Sequence, residues 1–106
     1  MAWVYLFIAG ILEIVWAFFM KQSDGFTKII PTILTLVAAA ASFGLLSVSM
    51  KSLPLGTAYV VWTGVGAVGA FVIGIAVLGE AASIMRIAAG SLIVAGLIMM
   101  KLSTPG

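Results

Sequence analysis

Only one acidic residue of this chain, Glu13, lies inside a long apolar stretch, and it falls near the middle of the first. Trp3 to Met20 is otherwise uncharged and about as long as the hydrocarbon core of a bilayer is thick. Spacing puts Glu13 only ~2–3 Å along a helix from the midpoint of that segment, at a rise of about 1.5 Å per residue. An ionised carboxylate at that depth costs on the order of 2.5–3.5 kcal/mol on the insertion scale. Such a residue calls for a partner, a proton or a cation. The chemistry open to it is therefore exchange of one occupant for another. Structural glue, a neutral acid hydrogen-bonded between helices, is the alternative, but acids within membrane helices usually mark ion or proton pathways.

Other polar and aromatic residues recur at helical spacing. Leu6, Ala9, Gly10, Glu13 and Ala17 share one face, most of it small enough for close approach of another helix. Trp16 follows one turn after Glu13, too deep for the interfacial belt where Trp3 and Tyr5 fit. Its indole N–H can donate to the carboxylate, although plain packing suits the position equally. Ser42 lies midway along the second apolar run beside Ala38 and Ala39, where a serine more often bonds its own helix's carbonyl than a ligand. Tyr59 and Trp62 are spaced i, i+3 next to Thr63, and aromatic walls of this kind can hold a cation through their π faces. Ordinary packing near the interface accounts for Tyr59 more readily than for Trp62.

Gly64-Val-Gly66-Ala-Val-Gly69 matches the dinucleotide pattern GxGxxG literally. It lies within an apolar span, with no βαβ unit and no acid ~20 residues later, so that reading fails. In a membrane helix Gly64, Gly66 and Gly69 permit close packing or a local kink, the latter a hinge for exposing one side at a time. Near the end, Ala89, Gly90 and Gly96 form a small-residue stripe. With Gly90 and Gly96 expected near one face, it suits helix pairing at a dimer interface.

The elements that must position these residues follow from composition. Of 106 residues, 64% are hydrophobic and 8% charged, whereas a soluble domain carries roughly a quarter charged. Apolar runs mark four short transmembrane helices at about 3–20, 29–50, 54–78 and 84–101, in one domain spanning 1–106. The fold class is an all-α membrane protein. The fourth span is short unless Arg86 snorkels to the interface. Lys21-Gln-Ser-Asp24-Gly25-Phe-Thr-Lys28 reads as the first loop, Lys51-Ser-Leu-Pro54-Leu-Gly56 as a tight second turn, and Glu80 to Arg86 as the third loop. Pro31 opens the second helix, where its missing N–H does little harm. Ser103-Thr-Pro-Gly106 is expected to fray. The beginning of the chain has no basic region ahead of its apolar run and is not expected to be a cleavable signal.

Several functions are disfavoured. Without cysteine or histidine, disulfides, haem attachment and Cys/His metal sites are excluded within one chain, and neither metal nor other cofactor is expected. No serine has a histidine or second base available, so an enzyme is not expected. A net charge of +2, scattered along the chain, does not suggest nucleic acid.

Topology is weakly marked. Four spans place both termini on one side with Lys51 and Lys101, against Lys21, Lys28 and Arg86 on the other. So even a division gives almost no positive-inside bias. Either the signal is simply weak in a small protein, or copies insert in both orientations and pair antiparallel. Pairing has a second argument: many transporters use two inverted repeats with the site between them, and this chain would be one repeat.

The four short helices, the single membrane acid Glu13 and the stretch Pro54-Leu-Gly56-Thr-Ala-Tyr59-Val-Val-Trp62-Thr-Gly64-Val-Gly66 resemble the small multidrug resistance family over nearly the whole chain. Gly10-Ile-Leu-Glu13-Ile-Val-Trp16-Ala17 with Lys51-Ser-Leu-Pro54 resembles its guanidinium-exporting branch; the exporters of polyaromatic drugs typically carry glycine where this chain has Trp16. The resemblance implies an antiparallel, dual-topology homodimer in the bacterial inner membrane, exchanging protons for guanidinium-type cations. It implies that Glu13 binds substrate and proton, with Gly10, Trp16, Ser42, Tyr59 and Trp62 forming the shell around it. The alternatives are a promiscuous exporter of quaternary ammonium ions, which bulk at Trp16 disfavours, a non-transporting membrane subunit of a hetero-oligomer, and a passive cation channel.

Overall fold

A computed structural model describes residues 1–103; the expected fraying of Thr104, Pro105 and Gly106 lies outside the described residues. Four helices follow one another: α1 Ala2–Gln22, α2 Ile29–Ser49, α3 Leu55–Ala76 and α4 Ile84–Ser103. Each is 20 to 22 residues long, about 30 Å at the α-helical rise, and each is apolar enough to cross a bilayer. A helix is what such sequences must form in lipid, because every backbone N–H and C=O has to be satisfied within the segment.

Local chemistry sets the boundaries. After α1, Ser23 donates its hydroxyl to the Met20 carbonyl at 2.7 Å and accepts from the Phe26 amide at 3.1 Å. That turn carries Asp24, Gly25 and Phe26 at left-handed φ of 50°, 72° and 65°, a conformation that only glycine adopts freely. Pro31 occupies the third position of α2, among amides that have no intrahelical acceptor anyway. Pro54, extended at φ −60° and ψ 149°, caps α3 at its start. Gly79 turns the chain after α3 at φ +71°. The third connection ends earlier than the charges suggest, so Arg86 stands in the first turn of α4. From there its guanidinium lies 3.4 Å from the Glu80 carboxylate and 5.3 Å from the centre of the Phe71 ring.

The helices form a layer in the spatial order α2, α1, α3, α4. α1 packs against both α2 and α3, whereas the backbone of α4 comes close to that of α3 alone. The backbone envelope measures 42 × 34 × 16 Å, so the molecule is flat. The core consists of Leu6 and Ala9 from α1, Leu46 from α2, Leu53 from the turn, and Ala58, Val61 and Trp62 from α3. Small residues let three backbones converge there. α4 contributes no buried residue.

Candidate cation site

Glu13 sits one residue past the centre of α1, next to the buried face of Leu6, Ala9 and Gly10. Its side chain reaches across to α3 and lies over Gly66, where a Cβ would overlap the carboxylate. Gly10 does the same for its neighbour: a Cβ there would come within 2.7 Å of Val65. These two glycines bring α1 and α3 close and leave room for the acid between them. The Oε1 atom of Glu13 is enclosed and, among the described residues, has no hydrogen-bond partner. An enclosed carboxylate oxygen with no partner is ready to take a proton or a cationic donor.

One turn from the acid, at Ala9 on α1 and Trp62 on α3, a connected aromatic and polar wall begins. The hydroxyl of Ser42 donates to the Ala9 carbonyl on α1 at 2.7 Å and accepts the indole N–H of Trp62 at 2.9 Å. One serine thus joins α1, α2 and α3. The expectation of a bond within its own helix is corrected here: the small buried residues Ala9 and Ala38 let α1 and α2 approach closely enough for the serine to reach across the interface. In an α-helix the carbonyl of residue 9 also serves the amide of residue 13, which fastens Ser42 to the turn carrying Glu13.

Trp62 is buried, and its ring neighbours are Tyr59 at 5.8 Å and Phe43 at 5.6 Å between centroids. Phe43 in turn meets Trp16 at 6.3 Å. The sequence expectation that Trp16 donates to Glu13 is not met: its enclosed indole N–H has no acceptor among the described residues, because the ring is turned towards Phe43 on α2. Tyr59 is about half exposed and touches the site through Trp62 rather than through the acid. The structure joins Ser42 and Trp62 directly and sets Gly10 and Glu13 against Val65 and Gly66 of α3, one turn from Trp62, with Trp16 and Tyr59 at the two ends of the aromatic row. Phe43 is the member that sequence reasoning missed. Its position one residue after Ser42 was the available signal, but an apolar side chain in an apolar helix does not announce itself.

The glycines divide by neighbour. A Cβ at Gly64 would strike Leu97 of α4, and one at Gly69 would strike Ile14 of α1. Gly90 faces the Phe71 ring, 3.1 Å from where its Cβ would be, while Gly96 faces open space. The expectation that Gly90 and Gly96 share a face is therefore corrected. Six residues along an α-helix leave them about 120° apart.

Residues 1–93 match the sequence profile of the family described as Small Multidrug Resistance protein. The chain belongs to the small multidrug resistance family. Among the most similar relatives of this family is a protein named guanidinium exporter from Yersinia pseudotuberculosis, 57% identical over 104 residues, covering 98% of this chain and 100% of the relative. Proteins of the same name from Escherichia coli K12 and Citrobacter freundii are each 54% identical over 104 residues, covering 98% of this chain and 99% of theirs. The four membrane-length helices and this membership make the chain a multi-pass membrane protein.

Proposed function

We propose that this chain exports guanidinium and small substituted guanidinium cations across the bacterial inner membrane in exchange for protons, working as an antiparallel homodimer. The observation that carries this reading is the enclosed, unpartnered Glu13 oxygen lying over Gly66, one turn from Trp62 on α3, in a chain 54–57% identical to proteins named guanidinium exporter.

The thinness of the layer supports pairing. At 16 Å one copy can line an aqueous path on one side but cannot surround it. A second copy, inserted in the opposite sense, supplies the other wall and a second Glu13. Guanidinium is planar, weakly hydrated and edged with N–H donors that match carboxylate oxygens. It bridges two carboxylates where protons otherwise sit, so the site holds either protons or the cation. If only occupied sites change facing readily, an inward proton gradient drives cation export. Trp62, held by Ser42, forms the flat wall of the cavity; Trp16 and Tyr59 bound its ends. No step involves making or breaking a covalent bond in the cargo, so the chain is a carrier rather than an enzyme.

The sign of the pH dependence follows from competition. As pH falls, protons occupy the carboxylates and the apparent affinity for guanidinium drops, by up to about tenfold per pH unit for each proton displaced. Titration calorimetry on the purified protein is expected to show that drop, with proton release on binding. Glu13→Gln keeps the shape but removes the charge, and loses ~1.5–3 kcal/mol of charge-assisted bonding, roughly 10- to 150-fold in affinity. Binding by Glu13→Gln at wild-type strength, or affinity indifferent to pH, contradicts the proposal.

A further inference from the structure

The backbones of α1 and α4 do not approach one another closely. Between them, over a floor supplied by α3, runs an apolar groove of about 310 Å³ lined by Trp3, Phe7, Val65, Val94, Ile98 and others. Its mouth is at the end of the molecule bearing the termini. There the Lys101 ammonium, which also lines the groove, lies 4.5 Å from the centre of the Trp3 ring. Trp3 belongs to the first turn of α1 and Lys101 to the last turn of α4, so both stand at the membrane–water boundary. From Lys101 the groove descends at least to Val94, about 10 Å along α4. It is therefore cationic at the interface and apolar towards the bilayer centre.

The charges at this end are one-sided. Lys51 and Lys101 lie here with the amino terminus, whereas Asp24 and Glu80 belong to the connections at the opposite end and Glu13 to mid-membrane. Among the described residues no acidic side chain pairs with Lys101. We propose that the groove is a binding site for an anionic phospholipid, with one acyl chain lying between α1 and α4 and the headgroup phosphate against Lys101. A basic side chain at the mouth of an interhelical groove is the chemistry that selects an anionic over a zwitterionic headgroup. The occupant bridges α1 to the one helix that buries nothing of its own, so it fixes α4 against the layer. This inference is independent of what the carrier transports.

The test is thermal unfolding of the delipidated protein in detergent, titrated with phosphatidylglycerol, with phosphatidylcholine of the same acyl chains, and with glycerophosphoglycerol. Phosphatidylglycerol is expected to raise Tm by roughly 3 °C or more above the effect of phosphatidylcholine. Lys101→Gln, an exposed change that leaves the fold intact, is expected to make the two lipids equivalent. Val94→Phe, which fills the groove, is expected to reduce the response to both. Equal stabilisation of the wild type by both lipids overturns the proposal, as does a preference that survives Lys101→Gln. Stabilisation by glycerophosphoglycerol alone equal to that by the lipid shows a headgroup-only site and also overturns it. So does a disulfide joining cysteines placed at Phe7 and Ile98 in different copies, which would mean that a second protein chain covers the groove.

Discussion

Ser42 is where the site's geometry is decided. Its single hydroxyl spends its proton on the Ala9 carbonyl and its lone pair on the Trp62 indole, leaving both buried groups satisfied. Ser42→Ala leaves the Trp62 N–H buried without an acceptor, a loss of about 1–3 kcal/mol. It also frees the ring that walls the cavity, so guanidinium binding weakens as well. Trp62→Phe removes the donor itself, and the double variant is expected to be less destabilised than the sum of the two singles by about 1 kcal/mol or more. Unfolding of the four proteins in one detergent checks this; strict additivity would mean that the bond does not hold the ring. At this scale the sequence was only partly legible. Glu13 stood out because a charge in hydrocarbon has no bland explanation. The partners of Ser42 did not, because nothing local to residue 42 reveals a bare carbonyl 33 positions earlier. The turn of Trp16 away from the acid was hidden for the same reason, its neighbour Phe43 being on another helix.

At the scale of elements, α3 is the helix that the others use as a seat. Leu97 of α4 lies on Gly64, Glu13 on Gly66 and Ile14 on Gly69. The spacing of these glycines allowed close packing or bending. α3 runs unbroken from Leu55 to Ala76, and in this state all three glycines serve as contact surfaces; bending there remains part of the proposed exchange of access. Gly69→Ala is expected to cost about 1–3 kcal/mol by overpacking against Ile14. Ile14→Ala removes the colliding atoms, so the pair together should recover at least about 1 kcal/mol relative to the summed singles. If the two changes prove independent in unfolding experiments, the close seat of α1 on α3 is wrong. Helix boundaries, by contrast, were mostly readable to within about two residues, the exception being the loop read as Glu80 to Arg86, into which α4 extends from Ile84. Helices begin or end at or near Ser23, Pro54 and Gly79, and each of these has a local reason to interrupt a helix.

The whole molecule is flat, 16 Å across its least dimension, with an acid between α1 and α3 and an outermost helix, α4, that buries no side chain. The order α2, α1, α3, α4 was not legible in the sequence, because the small-residue faces of α1 and α3 could have met several neighbours equally well. The near-even split of basic residues between the two ends was legible, and together with the open layer it favours two copies inserted in opposite senses. Gly96 faces open space, whereas Gly90 is already occupied by Phe71. The most direct test is to reconstitute this polypeptide alone in liposomes and follow guanidinium and proton fluxes together. An imposed proton gradient should drive guanidinium uphill, and an imposed guanidinium gradient should move protons the other way. Guanidinium flux with no opposing proton movement, or no flux from this chain alone, would contradict a self-sufficient carrier whose two Glu13 carboxylates hold one cargo or the other.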